Sequence, residues 1–79
     1  NGAYLDTKGW IYYKMGKFED AQRFIQKALD SREESAEVLE HMGDIYYQLG
    51  QLEEAKIYWQ RALDKDPQNF ELTQKIRDL

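Results

Sequence analysis

Apolar and polar positions alternate along this chain with the period of an α-helix. Leu5, Gly9, Tyr12 and Met15 recur at three- and four-residue spacing, the rhythm of one helix face. GKFED then interrupts the run, and Gly16 suits a left-handed residue at a helix end, where a side chain would clash. Glu19 and Asp20 fall in the first turn of a second helix, favourable to its dipole, and Phe18, Ala21, Ile25, Ala28 and Leu29 form its apolar face. The same events follow again: a helical run from Leu39 to Leu49, a turn at Gly50 and Gln51, then Leu52, Ala55, Trp59, Ala62 and Leu63. Asp66 and Pro67 end that run, because proline cannot continue a helix and disfavours helix in the residue before it. Over 68–79 the spacing predicts a short fifth helix, apolar at Leu72, Ile76 and Leu79 and polar at Glu71, Gln74, Lys75 and Asp78. The β-prone IYY segments both lie inside a helical period, so no strand is predicted.

The recurrence is a duplication. Residues 2–35 laid on 36–69, at an offset of 34, give identities at Leu5/Leu39, Gly9/Gly43, Ile11/Ile45, Tyr12/Tyr46, Tyr13/Tyr47, Gly16/Gly50, Glu19/Glu53, Ala21/Ala55, Gln26/Gln60, Ala28/Ala62, Leu29/Leu63 and Asp30/Asp64. The matches concentrate on small and apolar residues, which is where packing constrains a sequence. A mid-helix glycine costs about 1 kcal/mol against alanine, yet Gly9 and Gly43 recur at one position. The expectation is a neighbouring helix too close for a side chain, with Ala21, Ala28, Ala55 and Ala62 facing it and Tyr12, Ile25, Tyr46 and Trp59 filling the space around. The expected organisation is one domain over 1–79: repeats 2–35 and 36–69, then a capping helix within 68–79.

Leu39, Met42, Gly43, Tyr46, Ala55, Trp59 and Pro67 match the spacing W-x2-L-G-x2-Y, A-x3-F, P, and Leu5, Gly9, Tyr12, Ala21 and Ile25 match it in the first copy. In these residues the chain resembles the tetratricopeptide repeat family. The resemblance implies an all-α fold: an α-solenoid of two helix–turn–helix repeats with a terminal capping helix, five helices in all. It implies a scaffold that holds another protein rather than a particular ligand. The sequence departs from the pattern at Glu33, where proline is usual, and at Lys8, where a large apolar residue is usual. Two readings of Lys8 stand side by side: an exposed N-terminal edge with no repeat before it, or a snorkelling lysine whose stem still packs.

By the same resemblance, the first helix of each repeat lines a concave groove. Its positions here are Ala3, Asp6, Thr7, Trp10, Tyr13 and Lys14, then Glu37, Glu40, His41, Asp44, Tyr47 and Gln48, with Gln74 and Lys75, and also Glu71 and Asp78, from the last helix. Asp6, Trp10, Tyr13, Glu37, Glu40, His41, Asp44, Tyr47 and Lys75 are the expected partner-binding set, an acidic and aromatic surface suited to a peptide with basic and apolar side chains. Tyr13 and Tyr47 also have a plain packing role open to them, since both copies carry them; Trp10 is matched by Asp44, so the repeat does not demand it. The family's basic carboxylate clamp for chaperone tails would place Lys, Asn, Asn, Lys and Arg where this chain has Asp6, Trp10, His41, Glu71 and Lys75, so that clamp is not expected.

Composition narrows the picture. With 15 acids against 11 bases the net charge is −4, against the basic face that a nucleic-acid binder needs. The chain has no cysteine and one histidine, so disulfides, thiolate sites and a zinc centre are not expected. His41 with Glu37 and Asp44 could be drawn as an acid–base or metal cluster, but helix-spaced acids beside one histidine usually form a solvated face. No nucleophile constellation or glycine-rich phosphate loop is present, so neither catalysis nor a cofactor is expected. No apolar run is long enough to insert in a membrane. On the outer helices Lys17, Arg23, Lys27, Lys56 and Arg61 alternate with Glu19, Asp20, Glu53 and Glu54, including a Glu19–Arg23 pair, a pattern of solvation. The competing functional reading is structural: a segment of a longer array, or a self-associating module whose repeat edges make the contacts, because such repeats need neighbours to bury their faces.

Overall fold

The computed structural model describes residues 2–31 and 34–79, with side chains from residue 4 onward. Five helices follow one another: α1 Gly2–Lys14, α2 Phe18–Asp30, α3 Ala36–Gln48, α4 Leu52–Lys65 and α5 Phe70–Arg77. There is no strand among the described residues. The fifth helix is shorter than the 68–79 expected, because Asn69 takes the N-cap and accepts the Leu72 amide at 3.2 Å. Glu33 lies outside the described residues.

The two turns inside the repeats are built identically. Gly16 and Gly50 sit at φ +80° and +81°. At the first, the Lys17 amide donates to the Tyr12 carbonyl at 2.9 Å and the Gly16 amide to Tyr13 at 3.0 Å; at the second, Gln51 donates to Tyr46 and Gly50 to Tyr47. These are the paired bonds of a left-handed glycine terminus, which satisfy carbonyls that the helix itself leaves orphaned. The chain then turns back at once, so α1 lies against α2 and α3 against α4.

Packing follows from the small-residue seam. Ala21, Ile25 and Ala28 of α2 are buried with Val38, Met42 and Ile45 of α3; Leu39, Ala55, Trp59, Ala62 and Leu72 form a second buried group that ties α5 to α4. Leu29, Tyr46 and Tyr58 belong to the margins of both. The close-approach expectation for the glycines is refined here. A Cβ on Gly43 would stand 2.3 Å from Cδ1 of Trp59, and one on Gly9 would stand 2.6 Å from Cδ1 of Ile25 and 3.2 Å from the Ala21 carbonyl. What crowds each glycine first is the large side chain of the facing helix, not the alanines.

Lys8 is half-buried, with its Nζ 4.9 Å from the centre of the Phe24 ring. Its stem packs and its charge rests over an aromatic face, as a snorkelling lysine does. On the outer surface Arg23 pairs with Asp20, three residues before it, and not with the expected Glu19.

Candidate functional site

One face of the molecule is carried by α1, α3 and α5, and the charges on it are paired across repeats. Asp6 of α1 accepts from Nδ1 of His41 on α3 at 2.8 Å, and Glu40 of α3 accepts from Nζ of Lys75 on α5 at 2.7 Å. Each pair spans 35 residues, and the offset of 34 carries Asp6 to Glu40 and His41 to Lys75. The two bridges are therefore one bridge repeated: an acid in one repeat and a base one position later in the next.

Lys75 also donates to Asp44 at 2.9 Å, and the Trp59 indole donates to the same carboxylate oxygen at 3.1 Å. One ammonium thus serves two carboxylates. Burial raises the Asp44 carboxyl above its ordinary value and the Glu40 charge adds to this, while the bonds from Lys75 and Trp59 oppose it without prevailing. Burial alone would lower the Lys75 ammonium, but hydrogen bonds and charges from Glu40 and Asp44 outweigh it and leave it raised. Burial is therefore the main cause at Asp44, and the Glu40 charge sharing the same cation adds to it, whereas at Lys75 two acceptors together outweigh burial. Burial, then the Asp44 charge, also raises the Tyr13 phenol.

Between α3 and α5 lies a groove of about 310 Å³. Tyr13, Tyr47 and Trp59 line it with Asp44, Asp78, Lys75 and Gln48. Tyr47 is 48% exposed and leans on Trp59 at 5.8 Å. Lys75 Nζ stands 5.7 Å from the centre of the Trp59 ring. The chemistry on offer is recognition of a cation and of apolar surface, through aromatic faces beside carboxylates.

The expected binding set divides in two. Tyr13, Asp44, Tyr47 and Lys75 line the groove, while Glu40 stands behind Lys75 as its second acceptor. Asp6, Trp10 and His41 form a second cluster that adjoins the groove through Tyr13: Trp10 stacks on His41 at 4.1 Å and on Tyr13 at 4.5 Å, with Asp6 nearly buried behind the imidazole. Glu37 remains largely exposed, 3.9 Å from the His41 Nε2. The acids around His41 are thus Asp6 and Glu37, and Asp44 is turned to Lys75 instead. Ligand atoms of Asp6, Glu37 and His41 lie within 4.8 Å of one another, with Asp6 against Nδ1 of the imidazole and the exposed Glu37 nearer Nε2. Of the wider groove positions, the side chain of Ala3 lies outside the described residues. Sequence reasoning assigned Trp59 to the core alone; its indole N–H, which needs an acceptor when buried, was the available sign that it also reaches the polar face.

Trp10 links the repeats by stacking rather than by deep burial. Replacing Trp10 by Ala is expected to leave the helix content intact and cost about 1 kcal/mol, the typical worth of a stacked pair. Circular dichroism with thermal melting checks this; loss of most helical signal at 25 °C would place Trp10 in the core instead.

No helix among the described residues is long and apolar enough to cross a membrane. Comparison with curated protein sequences finds no match. Among solved structures, the chain is similar to the first TPR of Spaghetti (RPAP3) bound to the HSP90 peptide SRMEEVD, with a TM-score of 0.93 and 27% identity over 99% of this chain and 62% of that one. The present chain therefore spans less than two thirds of that relative's length. With the repeated glycine turns, the small-residue seam and the paired-helix stacking already described, a family model for the tetratricopeptide repeat matches residues 7–70, and the chain belongs to that family.

Proposed function

We propose that this domain is a non-catalytic interaction module that seats a peptide with basic and apolar side chains in the groove between α3 and α5. One observation carries the reading. An ammonium is already held there, by Glu40 and Asp44 beside the Trp59 ring, with Tyr47 exposed next to it. A ligand lysine or arginine would take the same kind of seat, against Asp44, Asp78 and the aromatic walls, and its apolar neighbours would cover Tyr13 and Tyr47. A protein partner also agrees with the peptide held by the related TPR domain. The charge of that peptide does not carry over: Asp6 and Glu71 stand here at two positions where the family's clamp for acidic tails uses lysine.

Fluorescence anisotropy with two labelled peptides tests the reading. A peptide alternating Arg with Leu and Phe is expected to bind, more weakly as salt rises because the contacts are charged. Tyr47→Ala should weaken it about tenfold, or ~1.4 kcal/mol, as truncation of an aromatic anchor does. The peptide SRMEEVD is expected not to bind in the micromolar range; micromolar affinity for it would sink the proposal.

A further inference from the structure

At the joint between the two repeats, Asp6 of α1 engages one nitrogen of His41 on α3, and the other nitrogen faces Glu37. Asp6 Oδ1 lies 2.8 Å from Nδ1. A carboxylate only accepts, so the proton of the neutral imidazole sits on Nδ1 and the lone pair on Nε2. Glu37, one helical turn earlier on α3, places Oε1 3.9 Å from that Nε2. The ring is also held in its plane, because Trp10 stacks on it at 4.1 Å with 17° between the planes. Tautomer and ring orientation are therefore both set by residues of α1, while the histidine itself belongs to α3.

The period supplies a comparison. The offset of 34 carries Glu37 to Glu71 and His41 to Lys75. Lys75 meets Glu40 and Asp44 with one ammonium, which has protons to give and no lone pair. His41 makes the equivalent bridge with one nitrogen and keeps a donor lone pair on the other. The Glu37 side chain is 76% exposed, and among the described residues no lysine or arginine pairs with it. One histidine without cysteine argues against a closed zinc centre, which takes four protein ligands. An open site needs fewer, and the fold adds what the local sequence lacks: an orienting carboxylate from 35 residues away.

We propose that His41 Nε2 and Glu37 bind one divalent transition-metal ion of the zinc class, with Asp6 as the carboxylate that orients the imidazole behind it. Metal-bound imidazoles characteristically donate their other N–H to such a carboxylate, which fixes the tautomer and makes the ligand more basic. Two ligands of a tetrahedral ion at about 2.0–2.1 Å stand ~3.3 Å apart, so Glu37 has to approach by only ~0.6 Å from its present 3.9 Å. An exposed side chain does this by a small torsional change, and the nearly buried Asp6 stays where it is. The remaining positions of the ion are left to water. Imidazole favours Zn²⁺, Ni²⁺ and Cu²⁺ over Mg²⁺ and Ca²⁺, which seek oxygen. The site does not rest on the groove reading.

Isothermal titration of the untagged chain with zinc chloride tests this, with magnesium chloride as the control. Zn²⁺ is expected to bind once per chain in the micromolar range, and Mg²⁺ not to bind. Glu37→Gln, an exposed change, should weaken Zn²⁺ at least fivefold, and His41→Ala should abolish binding, with circular dichroism confirming that each variant folds. Asp6→Leu removes the acceptor and should weaken Zn²⁺ about tenfold or more, as loss of an outer carboxylate does. Asp6→Asn should recover part of the loss, because its carbonyl still accepts from Nδ1. Long-range ¹H–¹⁵N spectra of the imidazole give a readout that a merely structural aspartate would not move. Nε2 should show the signal of an unprotonated nitrogen and lose it when Zn²⁺ is added, and in Asp6→Leu the proton should redistribute between the two nitrogens. Zn²⁺ affinity unchanged in Glu37→Gln would be that of a lone histidine and would overturn the proposal. So would zinc on Nδ1, or no saturation in the millimolar range. Tyr47→Ala should leave this titration unchanged, so failure here and failure of the groove reading are separable.

Discussion

Gly43→Leu is expected to abolish the folded state at 25 °C. A Cβ at Gly43 alone would stand 2.3 Å from Cδ1, 2.4 Å from Nε1 and 2.9 Å from Cγ of Trp59. Those atoms belong to a rigid ring that is 3% exposed, so no rotamer relieves the clash and the ring has to leave. Losing a buried tryptophan's packing costs about 3–5 kcal/mol. A domain of this size holds on the order of 4–12 kcal/mol in all. Displacement would also strip Asp44 of the indole hydrogen bond. Gly43→Ala is the graded form: helix propensity returns about 1 kcal/mol, overpacking removes about 1–3, and the clash of a single methyl falls at the upper end. Gly9→Ala should be milder, because the first obstacle is the end of the Ile25 side chain. Thermal and urea melts check the series. If Gly43→Leu melts within a few degrees of the parent chain, the crowding argument is wrong.

Lys75→Met is expected to cost about 2 kcal/mol near neutral pH, roughly 10 °C in melting temperature. It leaves Glu40 and Asp44 without their shared cation. The figure sits below that of a fully buried pair because the Lys75 side chain is 32% exposed. The pH dependence distinguishes electrostatics from lost packing. In the parent chain Lys75 is raised above its ordinary 10.5, so its contribution is complete below that value and is lost only as pH rises through the folded value. Asp44 is raised above 3.8; its contribution is present below that value and is lost as pH rises through the folded value, so its ionised form is a net cost at neutral pH. Without Lys75 the Asp44 carboxyl loses the hydrogen bond and charge that oppose its upward shift, and the deficit of the variant should shrink as pH falls into the acid range. Urea denaturation across pH measures it. A deficit constant with pH would mean that the lysine acts through its stem. Combining Glu40→Gln with Lys75→Met should cost less than the sum of the two, since they share one interaction.

Much of the fold was legible because the signals are local. The turns at Gly16 and Gly50 need a residue that tolerates positive φ, and a helix of period 3.6 shows its buried face in the spacing of Ala21, Ile25 and Ala28. The tandem copies then tell one helix pair from the next. The candidate site was legible only in outline. That Tyr13, Asp44, Tyr47 and Lys75 share a face was implied by the family resemblance, which places the first helix of each repeat on the concave side; register only marks which positions correspond. That Asp44 abandons His41 for Lys75, and that Trp10 turns its ring onto His41, do not follow, because both depend on the angle at which one repeat stacks on the last.

The sequence by itself determined the five helices, the glycine turns and the 34-residue register, since backbone conformation and amphipathic period are decided within a turn or two of chain. Tertiary structure alone decided which charges meet. The recurring bridges Asp6–His41 and Glu40–Lys75 join residues that no local rule connects. They exist because stacking one repeat on the next brings the first helices side by side with a one-position stagger. The same stacking buries Val38, Met42 and Ile45 of α3 against Ala21, Ile25 and Ala28 of α2.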